Sequence, residues 1–203
     1  MENKLINSVA QSLAGRLNHF IGKEGPAYTK MTLGMEVFII NVTKLIIIYI
    51  LAAILGILAQ TAILHIAYIM IKRCSFGLHA LNSTVCTVVS CCIFVAIPWF
   101  LQGIGINNII VAAAFVPIIL CLYKYAPADT KARPLIGKNL RAQLKRKTVV
   151  CGIVLMAITL LVPGGHAKLL LTLGAGFQCI SILPLTYKIL KRSERNYEAY
   201  EQV

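Results

Sequence analysis

Residues 35–71, MEVFIINVTKLIIIYILAAILGILAQTAILHIAYIMI, form the longest apolar run of the chain and decide how the rest is threaded. A helix needs about 20 residues to cross the hydrocarbon core of a bilayer, so this run is too long for one ordinary crossing and slightly short for two full ones. Its flanks settle the choice. A single crossing would put the two ends on opposite faces, yet both are basic, with Lys23 and Lys30 before the run and Lys72 and Arg73 after it. Basic residues collect on the cytoplasmic side, so a hairpin of two short helices is predicted, turning near Gly56 to Gln60. Composition agrees: of 203 residues 58% are hydrophobic and 13% charged, with mean hydropathy +0.78, whereas a soluble domain has roughly a quarter of its residues charged. The expected fold is all-α: a polytopic membrane protein forming a single integral-membrane domain over residues 1–203.

Upstream, residues 1–22 carry Leu5, Ile6, Val9, Leu13, Leu17, Phe20 and Ile21 at steps of three and four, with Lys4, Asn7, Gln11, Ser12, Arg16 and Asn18 between them. That pattern predicts an amphipathic helix lying on the membrane surface. Residues 22–34, with Gly25-Pro26, are expected to break it and lead into the bilayer. No apolar core or small-residue cleavage site follows Met1, so no cleavable signal is expected.

Downstream, Asn82 or Ser83 can cap a helix running from Thr84 to about Phe100 and ending at the interfacial pair Trp99 and Phe100. Residues 109–123 cross back. A loop from Lys124 to Lys147 carries eight basic residues against the single acid Asp129. Residues 148–162 cross again, Pro163-Gly164-Gly165-His166 turns tightly, and residues 169–187 return to a tail, 188–203, that is basic first and acidic later. The outer turns then hold only Lys168 among charged residues, so about six transmembrane helices with both termini cytoplasmic satisfy the positive-inside rule. Gly174-Ala175-Gly176 suggests close helix packing.

The net charge of +13 would point to nucleic acid in a soluble protein, but here it is confined to loops beside spans. It points instead to the anionic inner leaflet or an acidic-tailed ligand. Seven cysteines, an odd number without framework spacing, favour free thiols. No zinc-ribbon pattern occurs, and neither metal nor cofactor is expected.

The chemistry concentrates in residues 72–86, Lys-Arg-Cys-Ser-Phe-Gly-Leu-His-Ala-Leu-Asn-Ser-Thr-Val-Cys, the polar interruption after the hairpin. On one unbroken helix His79 and Cys86 would lie about 10 Å apart along the axis, too far for proton transfer between nucleophile and base. A break between them is therefore required, and the capping signal at Asn82-Ser83 supplies it. A cysteine in the first turn of a helix meets the positive end of the backbone dipole, which favours a thiolate. The spacing alone leaves an interfacial histidine and a core cysteine as the commoner outcome. Cys74 is the only rival nucleophile; Cys91, Cys92, Cys121, Cys151 and Cys179 read as core thiols, His65 and His166 as structural.

The Gly-x-His-Ala core with a cysteine seven positions after the histidine resembles the accessory gene regulator protein B (AgrB) family. Tyr125-Ala126-Pro127-Ala128-Asp129-Thr130-Lys131, continuing to Pro134, is similar to that family's central loop, and Gly34-Met35-Glu36 to its entry into the first span. The resemblance covers nearly the whole chain. It implies a membrane cysteine endopeptidase that processes the AgrD pro-peptide of bacterial quorum sensing, with Cys86 as nucleophile and His79 as its base. It further implies that Gly77 is functionally required and that Arg73 is the basic residue of the motif; Ser83, a candidate cap of the helix that bears Cys86, is expected to support the site. Where many members have a Gly-Gly pair this chain has Phe76-Gly77, which leaves the shape of the loop open.

AgrD-type substrates have an amphipathic N-terminal helix and an acidic C-terminal tail. The resemblance therefore makes Lys131, Arg133, Lys138, Arg141, Lys145, Arg146 and Lys147 the expected dock for that tail. Cleavage before the tail through an acyl-enzyme thioester would then deliver a cyclic (thio)lactone. Expected partners are the AgrD-like pro-peptide and anionic membrane lipid, with a homodimer left open and no nucleic acid. The alternative class is a multi-pass transporter or exporter without peptidase chemistry, suggested by the short spans and the intramembrane Lys44.

Overall fold

The computed structural model describes residues 4–78, 83–130, 134–193 and 196–201, the side chains of residues 4–7 and 83 apart. Regular structure among the described residues is helical, and Phe76 and Ala128 form an isolated parallel bridge. The chain divides into two compact units, Met1–Ile54 and Leu55–Val203.

In the first unit α1 (Lys4–Ile21) packs against α2 (Gly25–Ile54). The fully buried face of α1 is made by Ala10 and Ala14, one helical turn apart, while Val9, Leu13, Leu17 and Phe20 stay exposed. Asn18 closes the connection: its side-chain carbonyl accepts from the Lys23 N–H at 2.8 Å and its amide donates to the Lys23 carbonyl at 2.9 Å. The Gly25-Pro26 pair does not keep residues 22–34 out of helix. Proline lacks only an N–H that the first turn leaves unpaired in any case, so α2 starts at Gly25, well before the apolar run.

The run itself divides close to where it was expected to, at residues 55–57, where Gly56 takes φ +69. The first of its two helices is not short. α2 has 30 residues, about 45 Å of rise against ~30 Å of hydrocarbon.

The second unit begins with α3 (Leu58–Ser75). Next come α4 (Ser83–Cys91), a π-helical turn (Cys92–Ala96) and α5 (Ile97–Phe100), which together make one rod. Pro98 explains the π turn: it has no N–H for the Phe94 carbonyl four residues back, and its ring crowds that carbonyl. The freed carbonyl accepts instead from the buried Thr61 hydroxyl of α3 at 2.7 Å. Phe94 also stacks on His65 at 4.6 Å, so that histidine is structural here. Then follow α6 (Asn108–Tyr125), α7 (Lys138–Leu161), α8 (Gly165–Ile182) and α9 (Pro184–Ile189), with a last turn α10 (Glu198–Glu201).

The core lies among α3, α6, α7 and α8 and centres on Ile71, Phe115, Leu122, Leu155 and Ile182. Between apolar helices in lipid, close packing rather than water exclusion supplies the contact energy, so small residues matter. A Cβ on Gly174 would stand 2.7 Å from the Leu64 carbonyl oxygen and 2.7 Å from the Ala67 Cβ, which lets α8 lie directly on α3. Gly176 meets nothing within 4 Å, so only the first glycine of that cluster does the packing.

At the end of this unit where α8 begins, the Ile106 N–H donates to the Gly165 carbonyl at 3.1 Å, and His166 Nδ1 bonds to the Ile104 carbonyl oxygen at 2.9 Å. Lys168 donates to the Asn108 side chain and, at 3.2 Å, to the Leu160 carbonyl near the C-terminus of α7, where a cation suits the helix dipole.

The segment from Lys124 to Lys147 is not all loop. Helix α6 runs to Tyr125 and α7 starts at Lys138, so Lys138, Arg141, Lys145, Arg146 and Lys147 stand on helix. Lys, Arg, Gln, Leu and Ala are good helix formers, and after Gly137 nothing in the sequence interrupts them. By length and composition α2 and α6 are able to cross a membrane, and residues 84–100 form a shorter apolar helix.

Candidate functional site

Helix α3 ends at Ser75, and the backbone turns sharply: Phe76 has φ +57 and Gly77 φ +107. A tight hydrogen-bond set holds this turn. The Gly77 N–H donates to the Ala128 carbonyl at 2.9 Å, the Ala128 N–H to the Ser75 carbonyl at 2.9 Å, and the Leu78 N–H to the Ser181 carbonyl at 3.1 Å. From α8, the buried Gln178 amide donates to Ser75 Oγ and to the Phe76 carbonyl, each at 2.7 Å. Ser75 Oγ in turn donates to the Ile71 carbonyl at 3.0 Å.

Gly77 is required twice over. Its φ lies where a side chain is strained, and a Cβ would stand 2.8 Å from Ser181 Oγ and 3.1 Å from the Ser181 carbonyl oxygen. Phe76, at the place of the other glycine of the motif, takes φ +57 and ψ −127, a backbone region that glycine enters freely and that strains a residue with a side chain by about 1–3 kcal/mol.

Residues 76–78 thus leave the helix, and helix resumes at Ser83, the first residue of α4. His79 lies between, outside the described residues, as do Lys131 and Arg133. Cys86 stands in the first turn of α4, half-buried, its carbonyl accepting from Ser90 Oγ at 2.7 Å. Arg73 is exposed in the last turn of α3. Cys74 is turned to α7, where its thiol meets that of Cys151. All seven cysteines are free thiols; Cys179 belongs to the core, whereas Cys92 is exposed and is not the core thiol expected of it, because the rod of α4 packs on few neighbours.

Beside the turn, the 126–129 segment roofs a cavity of about 440 Å³ between the ends of α6, α7, α8 and α9. Lys124, Arg141 and Lys145 line it, with Tyr187 and Tyr197. Two of the expected dock residues, Arg141 and Lys145, therefore share a cavity wall. Lys145 also lies 4.5 Å from the Tyr123 ring centroid. Lys138, Arg146 and Lys147 are exposed on α7 outside that lining.

Asp129 is no isolated surface acid. It is 4% exposed, and its carboxylate accepts the backbone N–H groups of Asn196 at 3.1 Å and Tyr197 at 2.9 Å, while the Tyr187 hydroxyl donates to its carbonyl at 2.9 Å. The chain beyond Asn196 then crosses the basic surface. The Arg141 guanidinium lies 3.8 Å over the Tyr197 ring and grips the Glu201 carboxylate through two bonds of 2.6 and 2.9 Å, with the Gly137 N–H adding a third at 2.8 Å. Those donors pull the Glu201 pKa down to about 2, Arg141 first and the Gly137 N–H second.

Gln178, Asn196, Tyr197 and Glu201 were not singled out from the sequence. A lone glutamine in the apolar run of α8 was the available signal, since a buried amide needs partners. The pairing across 60 residues of Arg141 with Glu201 left none.

An all-helical chain with two helices of membrane-crossing length and composition, a glycine-fixed turn ahead of a helix-opening cysteine and a basic cavity beside that turn is consistent with an integral-membrane protein carrying a polar site at a helix end. The chain belongs to the accessory gene regulator B (AgrB) family, whose model matches residues 3–182. It is 46% identical over 174 residues to a putative AgrB-like protein of Listeria innocua, covering 86% of this chain and 85% of that one. A putative AgrB-like protein of Clostridium acetobutylicum is 38% identical over 201 residues, 99% and 96% of the two chains. The accessory gene regulator protein B of Staphylococcus intermedius is 31% identical over 181 residues, 89% and 95%. No solved structure matches the chain.

Proposed function

We propose that this protein acts in accessory gene regulator quorum sensing as a membrane cysteine endopeptidase on an AgrD-like pro-peptide. The observation that carries the reading is the turn at 76–78, bonded through Gly77 and Ala128 to the segment that roofs the basic cavity, so that the residues leading to His79 and the dock for an acidic tail share one framework. Membership of the AgrB family supports the same reading.

In this mechanism the Cys86 thiol gives its proton to His79, and the sulfur attacks the carbonyl carbon of the bond preceding the acidic tail. The imidazolium returns the proton to the leaving amine as the C–N bond breaks, leaving an acyl-enzyme thioester. A thiol of the substrate then attacks that thioester, Cys86 is released, and a thiolactone forms. Exchange of one thioester for another keeps the acyl group activated, whereas water would destroy it, so a partly dry site favours the cyclic product. Arg141 and Lys145, with Lys131, Arg133, Lys138, Arg146 and Lys147 nearby in sequence, attract the tail.

The proposed topology has six spans: α2, α3, the α4–α5 rod, α6, α7 and α8, with both termini cytoplasmic and the whole chain one membrane domain. Its support is the placement of cations, with Lys72, Arg73 and the 124–147 segment at one set of helix ends and Lys168 at the other. α1 is proposed to lie in the interface of an anionic leaflet, its apolar stripe exposed to lipid.

The test is co-expression with the pro-peptide. Cys86→Ala and His79→Ala are each expected to abolish release of the tail while the protein still inserts. Undiminished cleavage in either removes the mechanism, and ligand flux that survives Cys86→Ala would favour an exporter.

A further inference from the structure

The Glu201 carboxylate sits in a seat whose parts belong to the body of the protein. Arg141 is held in place independently of Glu201, because its guanidinium also donates to the Leu135 carbonyl at 2.9 Å. The Gly137 N–H points out from the start of the 24-residue helix α7, where the dipole favours an anion. A planar guanidinium already oriented by a carbonyl, joined by a backbone N–H, is a receptor for a carboxylate of any origin.

The segment that fills this seat is tied down in two unequal ways. Its near end is fixed by backbone donation from Asn196 and Tyr197 to the buried Asp129 carboxylate. At its far end Glu201 is held by Arg141 and Gly137, in contacts that stay partly open to water. Salt and a competing carboxylate both reach a pair that is open to water, so the far end can release by exchange while the near end stays.

We infer that residues 196–201 are a built-in occupant of this carboxylate seat, and that an acidic peptide binds by displacing Glu201 from Arg141 and Gly137. The inference rests on the proposed role of the basic surface as a dock for an acidic tail and adds that the dock is occupied in the resting protein. The tail then acts as a selectivity filter: a single carboxylate competes poorly with a tethered one, whereas a run of acids also reaches Lys124 and Lys145 along the same cavity and gains from several contacts at once.

The experiment measures binding of fluorescein-labelled hexaglutamate to the full-length protein in phosphatidylcholine nanodiscs at low salt, by anisotropy. Glu201→Gln removes the charge of the occupant without touching the seat and is expected to tighten binding at least about twofold, the least that an ion pair held in the seat imposes on a competitor. Arg141→Gln is expected to lose binding whether residue 201 is Glu or Gln. Unchanged affinity in Glu201→Gln overturns the competition, as does unchanged affinity in Arg141→Gln or an absence of binding to every variant. Cleavage does not enter the readout. Binding tightened by Glu201→Gln with no Cys86-dependent cleavage would keep the occupied seat and remove the peptidase, and the reverse pattern would do the opposite.

Discussion

Replacing Gly77 by alanine tests the turn at its tightest point. Two costs add. At φ +107 an L residue is strained by roughly 1–3 kcal/mol. The new methyl would also meet Ser181 Oγ at 2.8 Å, Ile182 Cγ2 at 3.0 Å and the Ser181 carbonyl oxygen at 3.1 Å. The hydroxyl is able to rotate only by giving up its 2.9 Å bond to the Gln178 carbonyl, and the backbone oxygen is fixed by helix α8, so overpacking adds about 1–3 kcal/mol. The sum, ~2–6 kcal/mol, falls on a turn held by a few bonds. The bonds from Gly77 to Ala128 and from Leu78 to Ser181 are expected to give way before the four-helix core does. At about 1.4 kcal/mol per tenfold, even the low end means a ~30-fold loss of pro-peptide processing if placement of the following residues limits the rate. The assay is release of the tail in cells matched for membrane-inserted protein, read by mass spectrometry. Gly176→Ala is the companion: in the same bundle, on helix, with nothing within 4 Å, it should process normally. Gly77→Ala within twofold of wild type would refute the reasoning.

Other consequences are as direct. Gln178→Leu removes both donors to the Ser75–Phe76 turn, but also an amide oxygen that is buried without a partner among the described residues; the net cost should sit near 1 kcal/mol of the ~1–3 that a lost buried bond carries, seen as a lower Tm in detergent. Thr61→Val leaves the Phe94 carbonyl beside Pro98 unpaired and should cost about 1–3 kcal/mol, while Thr61→Ser should cost clearly less; equal Tm shifts would speak against the bond. The Glu201 carboxyl, with its pKa lowered from 4.5 to about 2, should hold its contact fully above pH 4.5 and lose it as pH falls through about 2. A carboxyl NMR titration checks this, and Arg141→Gln should return the midpoint toward 4.5.

The sequence made some of this legible and hid the rest for physical reasons. The all-helical character follows from the long apolar runs, and the division of residues 35–71 from the length of that run and its two basic flanks, with Gly56, free to take positive φ, where the helix stops. The extent of α2 did not, because Gly25-Pro26 reads as a breaker and stands equally well at a helix start. The basic stretch reads as loop by its charge, although Lys and Arg are good helix residues. At the site, Gly77 was legible from its motif. Its partners Ala128, Gln178 and Ser181 were not, since backbone bonding across so many residues leaves no trace in spacing. The fate of the acidic end of the tail was hidden likewise, because the charges of Glu198 and Glu201 look solvated in any linear reading.

The bridge between Phe76 and Ala128 bears on protein engineering. Exchanging residues 126–130 alone with those of a relative would alter one side of a ladder whose other side is Ser75 to Gly77, and Leu78 is bonded in turn to the end of α8. Chimeras meant to move substrate preference from one homologue to another should therefore transplant the three pieces as a set, and grafts of the proline loop by itself are expected to express yet stay idle.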